Sequence, residues 1–279
     1  MLSLNPFSGS DRMRAVAVRY LSVSPLKLVF GLLGLAILAF IGFPLVKMVL
    51  SSSPAALWRT LLEPEVKDSI LLTLYCALLT TLTGAFLGVP LAYLLARHEF
   101  PGKRVIEGLV DIPVVVPHSA AGIALLFVFG RKFFLGGLFH ALGIDFVGEV
   151  AGIVIAMLFV STPFLVNAAK EGFRSVDVRL ENVARTLGAS PWQTFFRVSL
   201  PLSWRSILSG SVMMWARGIS EFGAVLILTY HPMVAPILVF ERFESYGLEY
   251  TRPVAVLLIL ICLVAFVALR AASGWGGRK

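Results

Sequence analysis

The twenty residues Pro253–Ala272, PVAVLLILICLVAFVALRAA, carry one charge, Arg270. A helix of about 20 apolar residues matches the hydrocarbon thickness of a bilayer. Five more such runs precede it: Leu26–Leu50, Ser69–Ala96, Asp111–Gly130, Val150–Ala169 and Ile207–Tyr230. No other feature constrains the chain as strongly. Inside a bilayer every backbone N–H and C=O must find a partner within the chain, so each run is predicted as a helix. The expected fold is an all-α polytopic membrane protein with six transmembrane helices. Pro113 and Pro117 predict a kink or interruption in the third run, and Pro90 and Pro163 do so in the second and fourth.

Composition supports this reading. Of 279 residues, 58% are hydrophobic and 14% charged, against about a quarter charged in soluble domains. The net charge of +8 is spread over short segments between apolar runs, which fits topology and not a nucleic-acid-binding face. With the N-terminus inside, sixteen of the 24 Lys and Arg fall on the cytoplasmic side and seven outside, leaving Arg217 within a span. Both termini are therefore expected in the cytoplasm. Cys76 and Cys262 sit inside apolar runs, with neither a disulfide framework nor metal-ligand spacing. No cofactor is called for. The first run is too long for the core of a cleaved signal and is expected to stay in the membrane.

The segments Arg131–Glu149 and His231–Arg252 are long enough for short surface helices. PILVFERFESYG, in the second, suits either a headgroup-lying helix or one that faces a partner.

Residues 181–201, ENVARTLGASPWQTFFRVSLP, are unusually polar for this chain. Leu180, Val183, Ala184 and Leu187 form an i, i+3, i+4, i+7 stripe. Gly188 stands where a helix end takes a left-handed residue. Ser190, Pro191 and Gln193 then supply an N-cap, a first-position proline and a capping box. A second short helix is predicted, with Trp192, Phe195, Phe196 and Ser199 on one face, ended by Leu200-Pro201. Its apolar surface either packs on the chain's own spans and headgroups or meets a partner.

This segment resembles the EAA loop of permease subunits of ABC importers. Glu181, Ala184, Gly188, Leu200 and Pro201 fit that pattern, and Asn182 and Val183 depart from it. The resemblance covers about residues 65–272 and implies a type I ABC importer permease fold. Residues 1–64 would then be an N-terminal tail, first transmembrane helix and external loop. The core would span 65–272, with the coupling loop at about 170–206 and a cytoplasmic tail at 273–279. The resemblance further implies a multi-pass protein of the cell membrane that works as a homodimer. Two ATP-binding cassette subunits would sit beneath it, and an extracytoplasmic substrate-binding protein would deliver cargo. The chain has no G-x-x-x-x-G-K-[ST] phosphate loop, so hydrolysis would be the work of a partner.

WARGISEFGAVLILTYHP places Arg217 ten residues into the fifth run, about 15 Å deep at 1.5 Å per residue, with Glu221 one turn on. A charge that deep normally faces protein or water. The pair either braces the bundle as a self-neutralising i,i+4 couple or belongs to a pathway or gate. Gly218 and Gly223 would allow close helix approach or an unwound turn. In DIPVVVPHSAAGIALLFVFG, His118 follows Pro117, either as a histidine hydrogen-bonded between helices or as a gate element. Gly84 and Gly88 read as a small-xxx-small packing pair.

These stretches are similar to the permeases for tungstate and molybdate, with sulfate/thiosulfate permeases the next nearest. The resemblance implies that the third and fifth spans line a translocation path. Pro117, His118, Arg217, Ser220, Glu221 and Gly223 would lie along it or at its gate, with Glu221 as a structural or gating partner that Arg217 neutralises. A proton-coupled secondary transporter using Glu221 and His118 is the main rival. An enzyme finds no support: the four histidines are scattered and no H-E-x-x-H or G-x-S-x-G occurs.

Overall fold

The computed structural model describes residues 25–274, with side chains to residue 271. Both chain ends, expected in the cytoplasm, lie outside the described residues. The described residues form helices and loops without a strand. The chain divides after Ser53. The first unit contains α1 (Pro25–Leu50), none of whose residues is buried.

The second unit runs through α2 (Pro54–Leu62), α3 (Pro64–Arg97), α4 (Lys103–Val115), α5 (His118–Phe129), α6 (Phe134–Ala141) and α7 (Val150–Ser175). It continues with α8 (Val178–Thr186), α9 (Pro191–Thr194), a π-helical turn Phe195–Ser199 and α10 (Leu200–Ile219). It closes with α11 (Gly223–Leu228), α12 (Ala235–Tyr246) and α13 (Leu248–Gly274). Four helices, α1, α3, α7 and α13, are long and apolar enough to cross a membrane, and α4 with α5 makes a fifth if that bent pair is one span. Of the six spans expected from the sequence, two are not single long helices.

The first is the third run. Its two arms, α4 and α5, are bent by 117° at Val116–Pro117. Val114, Val115 and Val116 are stiff β-branched residues, and the residue before a proline avoids the helical region. Val116 accordingly takes an extended conformation, and Pro117 becomes the N-cap of α5. Pro90, Pro113 and Pro163 do not interrupt their helices. Beside Pro163, the Ser161 and Thr162 hydroxyls donate to the Met157 and Leu158 carbonyls, bracing a turn that has lost a backbone donor.

The second is the fifth run, which is split. The chain leaves α10 at Ile219 and re-enters helix at Gly223. Leu200-Pro201 also does not end a helix as expected. Pro201 lies in the first turn of α10, and the turn before it widens to a π-helix in which the Leu200 amide reaches back to Phe195 O. A proline ring clashes with the carbonyl four residues back, and the wider turn gives that carbonyl room.

Helix α7 is central and packs most extensively on α3 and α10. Small residues set these contacts. A Cβ at Gly84 would overlap the Met214 side chain, and one at Gly88 would press on Val166 at 3.0 Å, so this pair serves packing. A Cβ at Gly210 would stand 2.7 Å from Ala168 Cβ. Helix α12, the segment with the mixed PILVFERFESYG pattern, packs into the chain's own core. Ala235 and Leu238 join Val66, Ile70, Val254 and Leu257, and the Ala235 amide donates to Thr73 Oγ1 at 2.8 Å.

Loop 130–149 is clasped by Arg131, whose guanidinium fork donates to both Asp145 oxygens at 2.8 Å. That bond, with His140 adding to it, holds the Asp145 carboxyl below the usual carboxylate range. The clasp is therefore complete at neutral pH and is lost only as pH falls through that lowered value.

Packing through Gly210 predicts that Gly210→Leu loosens the α7–α10 interface at a cost of about 1–3 kcal/mol. Thermal unfolding in detergent should show a lowered midpoint, and an unchanged one would contradict the packing account.

Candidate functional site

The loop between α7 and α10 folds as its local chemistry dictates. Asp177 caps α8 by accepting from the Arg179 amide. Gly188 lies at φ +88°, a conformation that strains any residue with a Cβ. Ser190 and Gln193 form the reciprocal capping box, with Gln193 N donating to Ser190 Oγ at 3.2 Å and Ser190 N to Gln193 Oε1 at 2.8 Å. Within this chain the apolar stripe is left open. Leu180, Val183 and Leu187 are exposed, as are Trp192 and Phe196, whose rings stack.

Beneath that surface lies an ionic node. Glu181 is 3% exposed. Its Oε1 accepts from Arg97 Nε at 2.8 Å and from Ser199 Oγ at 2.7 Å, and Arg97 Nη2 donates to Val176 O at 3.0 Å. Among the predicted loop residues, Glu181 therefore faces inward, Ala184 is half-buried, and Gly188 shapes the elbow. Leu200 and Pro201 open α10. Arg97 was not singled out from the sequence, and Ser199 was placed only on one face of the second short helix. Arg97 is 84 residues from Glu181, and such a pairing leaves no local signal.

A second cluster forms where α10 breaks. Ser220 caps α10, its hydroxyl donating to Arg217 O at 3.0 Å and accepting from Arg217 Nη1 at 3.3 Å. Glu221 follows, with no exposed surface. Its Oε1 accepts from the Ala224 amide at 2.8 Å, satisfying an otherwise unpaired donor in the first turn of α11. Its Oε2 lies 2.7 Å from His118 Nδ1 and accepts from Arg217 Nη2 at 3.0 Å. Arg217 Nη2 also lies 2.8 Å from His118 Nε2. With its hydrogen on Nδ1, His118 donates to the carboxylate, and Arg217 Nη2 lies within 2.9 Å of both ring nitrogens.

All six residues predicted for a path or gate meet here. Pro117 and His118 begin α5, Arg217 and Ser220 end α10, Glu221 sits in the break, and Gly223 begins α11. A Cβ on Gly223 would stand 2.9 Å from His118 Cβ, and one on Gly122 would stand 2.8 Å from Ile227 Cβ. Two glycines on facing helices thus permit the approach of α5 to α11. Gly122 was not predicted, and only the contact across to α11 marks it. Exposure is graded: the His118 side chain is 40% exposed, that of Arg217 20% and that of Glu221 0%. The cluster presents its cation and imidazole outward and covers its anion.

Residues 88–273 match the family of binding-protein-dependent transport system inner membrane components. The chain belongs to that family. It is the permease component of an ABC importer, which decides against the proton-driven carrier. The permease is 47% identical over 249 residues to the molybdate/tungstate transport system permease protein WtpB of Pyrococcus furiosus, covering 88% of this chain and 95% of that one. It is 42% identical to the protein of the same name from Methanocaldococcus jannaschii, covering 87% and 94%. Identity is 35% to the probable sulfate transport system permease protein cysT of Chlorokybus atmophyticus, over 75% of this chain and 74% of that one. Among solved structures, its fold is similar to that of a bacterial ABC transporter that imports the acidic polysaccharide alginate. The TM-score there is 0.70 at 16% identity, covering 90% of the permease and 96% of that chain. The inward-facing MetNI methionine ABC transporter gives 0.62 at 15% identity, covering 81% and 100%.

The permease's break cluster predicts a graded response to substitution. Glu221→Ala leaves Arg217 and the Ala224 amide without their acceptor and should destabilise by about 3–5 kcal/mol. Glu221→Gln keeps an acceptor for Ala224 and should cost less. Unfolding midpoints of the two variants in detergent would check this, and equal midpoints would contradict the assignment of Oε1 to α11.

Proposed function

We propose that this permease carries molybdate or tungstate across the cell membrane by alternating access, driven by ATP hydrolysed on partner subunits. The observation that carries the reading is the break cluster. Arg217 and His118 are the part-exposed members of the cluster, so an oxyanion would meet the cation first, while Glu221, which would repel it, is covered and neutralised. A path must release what it admits, so a cation already paired with a carboxylate suits passage better than a free one would. The choice of anion follows relatives named for molybdate and tungstate at 42–47% identity, ahead of sulfate-named ones at 35%.

In this reading the 170–206 loop faces the cytoplasm, and two ATP-binding cassette subunits dock on the exposed face formed by Leu180, Val183, Leu187, Trp192 and Phe196. Both termini lie on that side. Two copies of the permease enclose the path, and an extracytoplasmic binding protein selects and delivers the anion. The spans are six when α4 with α5, and α10 with α11, each count as one broken crossing. Gly188 holds the elbow of the docking surface, and Pro117 and Gly223 hold the facing ends of the gate.

Uptake by proteoliposomes holding the permease, its ATPase and its binding protein tests the proposal. Tungstate or molybdate should enter only with ATP, and excess sulfate should compete poorly. Gly188→Val, strained by about 1–2 kcal/mol at positive φ, should assemble but lose most uptake. Entry without ATP, or a preference for sulfate, would overturn the reading.

A further inference from the structure

The ionic node under the loop joins more than two residues. Arg97 is the last residue of α3, Val176 follows α7 and leads into α8, and Ser199 is the last residue before α10. The loop ends of the three most extensively packed helices therefore meet at one carboxylate and one guanidinium. Arg97 Nε takes Glu181 and Nη2 takes the Val176 carbonyl, so a single planar group holds α8 and the end of α7 against α3. The side chains of Arg97 and Glu181 are 7% and 4% exposed. Such a buried charge keeps its place because leaving its partner would strand it.

One turn before three members of the node stands an aromatic ring: Tyr93 before Arg97, Phe173 before Val176 and Phe195 before Ser199. Tyr93 meets Phe173 edge-on with centroids at 5.2 Å, and Phe195 at 4.9 Å. Phe195 then contacts Phe196, which stacks on exposed Trp192. The joint has two layers, a charged one toward the loop and an aromatic one behind it. Side chains reach from it to the open face of the loop.

We infer that Arg97 is a positioning residue through which displacement of the 170–206 loop moves the ends of α3, α7 and α10 as one body. This rests on the ATP-driven reading above. Glu181 serves the joint and not a partner's surface, since it is covered within this chain. The open apolar residues make the outward contact, and the Arg97–Glu181 pair passes the motion inward. Without the pair, the loop could follow its partner while the helices stay behind.

The test compares wild type with Arg97→Lys, Glu181→Gln and the exchanged pair Arg97→Glu/Glu181→Arg. Each is reconstituted with its ATPase and binding protein, and the readout is tungstate imported per ATP hydrolysed. Lys keeps the charge but loses the fork, and Gln keeps the shape but loses the charge, so both should still assemble. Import per ATP should fall about three- to thirtyfold in each and recover in part in the exchanged pair. Ser199→Ala, which removes one hydroxyl from the joint, should fall less. A joint that only supports the fold would lower the unfolding midpoint and leave import per ATP unchanged, and that result would overturn the inference. Wild-type complex that hydrolyses ATP without importing any anion would instead overturn the functional reading itself.

Discussion

A carboxylate with almost no exposed surface must have its charge answered by the protein, because little lipid or water reaches it. Two such groups, Glu181 and Glu221, organise this permease. Each is paired with an arginine and hydrogen-bonded to a further element. They stand near opposite ends of α10, whose 20 residues span about 30 Å. One joins the loop to α3, α7 and α10, and the other holds α10, α5 and α11 together. The apolar surfaces decide that the chain lies in a membrane, and these two glutamates decide where its helices stop and what they hold.

Both glutamates serve irregular backbone, Glu221 from within the break and Glu181 from α8. The π turn lies between α9 and α10 because Pro201 needs room behind it, and Ser199 in that turn reaches Glu181. The gap after Ile219 leaves the first amides of α11 without helical partners, and Glu221 supplies one. Irregular backbone at membrane depth is tolerated where side chains satisfy it, and such places are where a span can bend. In the proposed cycle α10 is the rod between the docking loop and the gate, and the two carboxylate clusters are its fittings.

Much of this was legible in the chain. The elbow at Gly188 and the Ser190–Gln193 box depend on residues a few positions apart, and both formed as their chemistry requires. Arg217 and Glu221 were visible as charges one turn apart in an apolar run, and His118 as an ionisable residue behind a proline. The Arg97–Glu181 pair was not legible, since nothing near either residue indicates the other. Arg97 read only as a topological charge. The break at Pro117 was expected, whereas the interruptions expected at Pro90 and Pro163 and the stop at Leu200-Pro201 did not form. Proline identity alone does not separate Pro117, which follows three valines, from Pro90 or Pro163, which their helices absorb. Pro201 terminates a helix by local rules, yet a widened turn carries the chain through it.

The central claim is that events at the loop reach the gate through α10. Hydrogen exchange in the assembled transporter addresses it directly, because the Ala224 amide is held by the Glu221 carboxylate. Peptides covering residues 218–226 should exchange faster with ATP bound than without nucleotide, as the cluster opens. Equal protection in the two states, with the loop itself responding to ATP, would contradict the account.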